Sequence, residues 1–178
     1  MKGIYLEEII NKGNQLMIKQ LINKTRDVNF ALLTSAEINN MYKDIDKALS
    51  KLWCLDRQHY LTAERYADMS DRESILDHFL GIDSVLSDNV NRQLIGIDWT
   101  CKPGISLINK IEKHKKFLPC YNILSFKKVV VVYIHNADLI EGTNKASFVY
   151  KLLKQIIAEV NKLLFLGGIT IDAKDLIK

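Results

Sequence analysis

The chain has 178 residues, 48% of them hydrophobic and 26% charged, with 2 Pro and 8 Gly. That is enough for one domain with a proper core, and the composition is neither disordered nor repetitive. The net charge of +4 is unevenly spread: residues 1–89 carry 11 basic against 14 acidic side chains, residues 90–178 carry 14 against 7. A cationic second half suits a polyanionic partner, although ordinary solvated lysines give a similar count.

The longest apolar runs, Val129 to Ile134 and Leu163 to Leu166, are far too short to span a bilayer. Glu7 and Glu8 fall where a secretory leader is apolar. The expectation is a cytoplasmic protein with no membrane partner. Cys54, Cys101 and Cys120 are odd in number and lack a C-x-x-C pair, so neither a disulfide framework nor a zinc site is signalled. His59, His78, His114 and His135 lie at least 19 positions apart, which excludes a local histidine metal motif. The glycine signatures of a P-loop, a dinucleotide fold and a serine hydrolase elbow are also missing.

Taken in chain order, residues 5–24 repeat Ile9, Ile10, Leu16, Met17, Leu21 and Ile22 at roughly helical spacing, broken near Gly13. Two short helices or one broken helix fit. Thr34, three residues before Glu37, has the form of a capping box; Ile38, Met41, Ile45, Leu49 and Leu52 then form one stripe. Residues 57–80 are dense in charge, and their later part reads equally as helix or strand. "GIDSVL", "SDNVNRQ" and "LIGIDWT" read as strand, turn and strand. After "CKPG" the spacing of Ile105, Ile108, Ile111, Lys115 and Leu118 predicts an amphipathic helix. "KKVVVVYIH" is the clearest buried strand. Phe148, Leu152, Ile156 and Val160 mark a C-terminal helix over about 144–166, ending at Gly167-Gly168.

A helix between the strand of Asp98 and the valine strand predicts a parallel crossover, hence an α/β domain with helices packed on a mixed sheet. Asp83 and Asp98 then sit on neighbouring strands of a hairpin, where two carboxylates can share Mg²⁺ or Mn²⁺. Asp98, Thr100 and Lys102 are spaced by two and share a face; Trp99 points the other way, into core or interface. The plain alternative for each acid is a solvated or paired strand-edge carboxylate, and for Lys102 a solvated loop lysine beside Pro103.

Gly81-Ile82-Asp83, with Asp98-Trp99-Thr100-Cys101-Lys102 beginning fifteen positions after Asp83, then an amphipathic helix and a valine-rich strand, resembles the PD-(D/E)XK nucleases, the restriction-endonuclease-like superfamily. The resemblance covers about residues 60–135. It implies a restriction-endonuclease-like mixed sheet flanked by helices over a core of about 34–135, and hydrolysis of DNA phosphodiesters with Mg²⁺ or Mn²⁺. Asp83 and Asp98 would match the family's two acids and hold the metal. Thr100 stands in the usual lysine position, so Lys102, or Lys110 from the next helix, would assist. Glu37, Glu64, Asp68 and Glu73 are candidates for a further acid. Lys110, Lys113, Lys115 and Lys116, beside His114, would contact DNA, and pairing into a homodimer suits a double-strand cutter. A catalytically inactive module binding nucleic acid or protein is the alternative, and an assembly role for the C-terminal helix a third.

Overall fold

The computed structural model describes residues 1–23, 29–42, 76–77, 80–102 and 104–177. Cys54, His59, Glu64, Asp68, Glu73, His78 and Pro103 lie outside the described residues, as do Ile45, Leu49 and Leu52 of the stripe that begins at Ile38.

Helix α1 (Gly3–Asn23) leads to β1 (Phe30–Leu32) and α2 (Ser35–Met41). Strands β2 (Ser84–Asp88) and β3 (Gln93–Thr100) form a hairpin, followed by α3 (Ile105–Lys115), α4 (Leu118–Ile123) and β4 (Phe126–His135). A 3₁₀ turn (Ala137–Gly142), α5 (Lys145–Val160), β5 (Leu166–Asp172) and α6 (Ala173–Leu176) complete the order. Among the described residues the strands make one five-stranded sheet, β1-β2-β3-β4-β5. The pairs β1/β2 and β2/β3 are antiparallel; β3/β4 and β4/β5 are parallel, joined by helical crossovers. The protein is thus an α/β protein with a mixed sheet flanked by helices.

Local chemistry explains several boundaries. Thr34 caps α2 by accepting from the Glu37 N–H at 3.2 Å. The β2–β3 turn closes on Asp88, buried to 1% exposure, whose carboxylate accepts from the N–H groups of Val90 and Asn91 and from the side chains of Asn91 and Gln93. Burial alone would raise its pKa, but these four donors outweigh it and hold the group below the usual carboxylate range. Within the same turn Arg92 adopts a left-handed conformation, φ 52°.

The sheet is buried on both faces. On one, α1 and α5 cover Ile95, Ile97 and Trp99 of β3 and Val130, Val132 and Ile134 of β4. On the other, Val85 and Val129 pack with Ile38, Tyr42, Leu80, Phe117 and Tyr121. Parallel strands covered on both sides read as continuous apolar runs, and Val129 to Val132 are each 0% exposed.

Four findings differ from the sequence reading. Helix α1 is unbroken at Gly13, because the glycine marks a close helix crossing; a Cβ there would stand 2.4 Å from Val149 Cγ2 and 2.6 Å from Lys145 O on α5. The C-terminal helix stops at Val160 rather than near 166, and Gly167-Gly168 belong to β5. There the missing side chain of Gly168 admits Ile111 of α3, whose Cδ1 lies 3.0 Å from where a Cβ would be. Strand β1, the short apolar run Phe30–Leu32 before Thr34, is not marked by any periodicity in the sequence. Finally, α3 is rotated from the expected phase: Ile105 and Ile108 are 75% and 60% exposed, while Leu107, Ile111 and buried His114 face the sheet.

Candidate functional site

The site lies where the hairpin meets the first parallel pair. Asp98 is on β3 and pairs laterally with Val131 of β4, which pairs with Gly168 of β5. Residues in lateral register share a face, so Asp98 points to the α3 side, as the period of two requires. Trp99 points into the α1/α5 core, and its indole Nε1–H donates to Ser84 Oγ at 2.8 Å. Asp83 sits just ahead of β2, and its Oδ2 accepts from the Trp99 backbone N–H at 2.9 Å. The carboxylate therefore replaces a ladder partner for β3, which brings the two aspartates together.

Asp98 is 5% exposed, and both of its oxygens have hydrogen-bonding side-chain partners. Lys110 Nζ donates to Oδ1 at 2.9 Å and His114 Nε2 lies 2.8 Å from Oδ2. One turn of α3 separates the lysine from the histidine, so both reach the same carboxylate from one helix face. Behind His114 the chain continues: its Nδ1 is 2.5 Å from Tyr121 Oη, and the tyrosine donates to Leu80 O at 2.8 Å. With the Tyr121 hydrogen committed to Leu80, the phenol oxygen accepts from His114 Nδ1–H.

Two more acids belong to this centre. Burial drives the Asp83 pKa up to about 9, helped by the negative charges of Asp98 and Glu7 and by a hydrogen bond with Asp77, and opposed by the Trp99 N–H. Glu7, on α1, is raised first by burial and then by Asp77 and Asp98, with Lys110 acting the other way. Burial would raise Asp98 too, but the His114 hydrogen bond and the charge and hydrogen bond of Lys110 hold it below the ordinary carboxylate range. The centre is thus a cluster of acids that disfavour one another's ionisation, in which Asp83 keeps its proton while Lys110 and His114 hold Asp98 ionised. Among the described residues no three His, Cys, Asp or Glu side chains gather as a metal cage. Mg²⁺ keeps several waters and needs only one or two carboxylates, so the Asp83–Asp98 pair offers the right oxygen donors for it once Asp83 gives up its proton.

Of the residues singled out from sequence, Asp83, Asp98 and Lys110 come together. Lys102 is exposed just beyond β3, its N–H bonded to Thr100 Oγ1 at 3.1 Å. Lys113, Lys115 and Lys116 are on the exposed side of α3 and its end, Lys115 paired with Glu112 at 2.6 Å. Glu37 is exposed at the start of α2. Glu7, Asp77, His114 and Tyr121 were missed as site residues. The one signal for His114 was its i+4 spacing from Lys110, visible once Ile111 is placed facing inward.

Compared with protein-family models, with curated proteins and with solved structures, the chain matches none. No helix among the described residues is long and apolar enough to cross a membrane.

Proposed function

We propose that this α/β protein is a metal-dependent DNA endonuclease on a restriction-endonuclease-like scaffold, with Asp83 and Asp98 holding Mg²⁺ or Mn²⁺. The observation that carries the reading is the gathering of Asp83, Asp98 and Glu7, close enough to perturb one another, with the Lys110 ammonium 2.9 Å from Asp98. Neighbouring acids that disfavour one another's ionisation are ones a divalent cation can ionise and hold, and perturbed acids beside a lysine are the groups phosphodiester hydrolysis uses. The cation would supply charge neutralisation at the phosphoryl group and a more acidic water.

The chain's own residues supply the rest. Asp83 is oriented by the Trp99 N–H, and Asp98 by His114, so both acids have fixed directions. Glu7 is the upstream acid, in place of Glu37. Lys110 takes the role expected of Lys102, because its ammonium is already at the carboxylate and can turn to charge developing on a phosphate oxygen. Lys113, Lys115 and Lys116 are exposed along α3 and at its end and would meet the DNA backbone.

A second reading, a nuclease-like module that binds without cutting, is favoured by two observations. Thr100 is 4% exposed in the family's lysine position, and both Asp98 oxygens are already engaged. Cleavage of supercoiled plasmid with Mg²⁺ or Mn²⁺, against EDTA and against Asp98→Ala, separates the two. Metal-dependent nicking that Asp98→Ala and Lys110→Ala abolish and Lys102→Ala leaves intact supports the nuclease. DNA binding without nicking under either metal supports the module.

A further inference from the structure

We infer that Lys110 is a resident cation on Asp98, and that a divalent cation reaches this carboxylate only by displacing the lysine from Oδ1 while His114 keeps Oδ2. The inference rests on the metal-dependent reading above and adds to it how the site is closed before loading.

Three observations support it. The two carboxylate oxygens are taken by different donors, Oδ1 by Lys110 at 2.9 Å and Oδ2 by His114 at 2.8 Å, so an incoming cation must replace one of them. The two donors are held very differently. The His114 side chain is 1% exposed and tied through Tyr121 to Leu80 O. Gly81, with φ +73°, presses its backbone against the ring so closely that a Cβ would lie 3.1 Å from His114 Cε1. Moving the histidine would leave Asp98 Oδ2 buried without a partner and take the donor from the buried Tyr121 oxygen. The Lys110 side chain, by contrast, is 37% exposed and ends a flexible four-carbon stem. It can swing to solvent with little loss, and its hydration there is favourable. The third observation is its setting: Lys110 also eases the charge on Glu7, so in the unloaded protein it does the neutralising that a metal ion would take over. Loading therefore frees an ammonium beside the cation, where an anionic phosphate is its nearest natural partner; cation and phosphate should bind with mutual reinforcement.

The direct test is Mn²⁺ binding, followed by the electron paramagnetic resonance of the free ion, for wild type, Lys110→Met and Asp98→Asn, with circular dichroism as the folding control. Asp98→Asn defines binding that does not involve the site. The inference expects Lys110→Met to bind Mn²⁺ about tenfold more tightly than wild type, the scale of removing one half-exposed charge contact. Equal or weaker binding by Lys110→Met, with wild-type binding still dependent on Asp98, overturns the displacement and leaves the metal site standing. Binding that is the same in all three proteins overturns the metal-dependent reading and this inference with it. A second arm needs no variant: Mg²⁺ added to wild-type protein should move the Lys110 Cε–Hε resonance. A resonance that stays fixed while the amides around Asp98 shift refutes the displacement on its own.

Discussion

Replacing Asp83 by Asn tests the electrostatics of the acid centre without touching its shape. The amide keeps a carbonyl oxygen to accept the Trp99 N–H, which the carboxylate now accepts at 2.9 Å, and removes the titration. Asp83 has an ordinary value of 3.8 and is pushed to about 9 in the fold, so over that window the folded protein holds a proton that the unfolded chain has lost. A raised acid contributes stability that is complete below the unfolded pKa and falls away as pH rises through the folded one. The slope for one group is at most about 1.4 kcal/mol per pH unit, so between pH 5 and 8 wild type should lose up to about 4 kcal/mol through Asp83. Glu7 is raised as well and acts in the same direction. Asp98 is lowered, so its contribution is lost only as pH falls below the ordinary carboxylate range, outside the window. Urea unfolding at pH 5, 6, 7 and 8, with EDTA throughout, should show a decline in wild type that is flattened in Asp83→Asn. Parallel declines in the two proteins would refute the assignment of a protonated Asp83.

Other expectations follow from single contacts. Tyr121→Phe removes the donor to Leu80 O and the acceptor for His114, and should cost about 1–3 kcal/mol in urea unfolding. Gly13→Ala drives a methyl against the α5 backbone and should lower stability by about 1–3 kcal/mol, read as a fall in Tm, since Lys145 O cannot rotate away as a side chain would. Asp88→Ala strands the donors of the β2–β3 turn and should cost about 1–3 kcal/mol by urea unfolding, with plasmid cleavage changed less than stability. Saturating Mg²⁺ at pH 8 should raise the Tm of wild type more than that of Asp83→Asn, because the cation favours the ionised carboxylate that only wild type has.

The hairpin, the valine strand and the crossover between them were legible because period-two alternation, turn residues and an uninterrupted apolar run are local signals. The pair Asp83 and Asp98 was legible for the same reason: each follows a Gly-Ile dipeptide in one hairpin. Glu7 was hidden, because it is brought to the site by the packing of α1 across a sheet whose relevant strands are some 76 to 91 positions away. His114 was hidden by phase. Taking Ile105 and Ile108 as the buried stripe turned the helix the wrong way, whereas the lateral alignment of Asp98, Val131 and Gly168 opens space only for Ile111 and its neighbours. The C-terminal helix was overextended because leucines at 163 and 164 continue an apolar stripe, and Leu164 is in fact 90% exposed in the turn before β5. Periodicity records which residues are apolar, and only packing decides which are covered.

The sheet's spatial order is also its chain order, from β1 through β5. Each strand therefore pairs with the one made just before it, and a chain emerging from a ribosome could add strands one at a time without waiting for a later segment to insert between earlier ones. The exception is α1, which packs chiefly on α5, more than a hundred residues downstream. Until α5 has been synthesised, the apolar side of α1 that carries Leu6 and Ile10 has lost its main cover, and Glu7 has no fixed place beside Asp98. Completion of the acid centre is thus tied to a late event in the life of the nascent chain, and a product truncated before α5 would lack an ordered centre even with its hairpin formed.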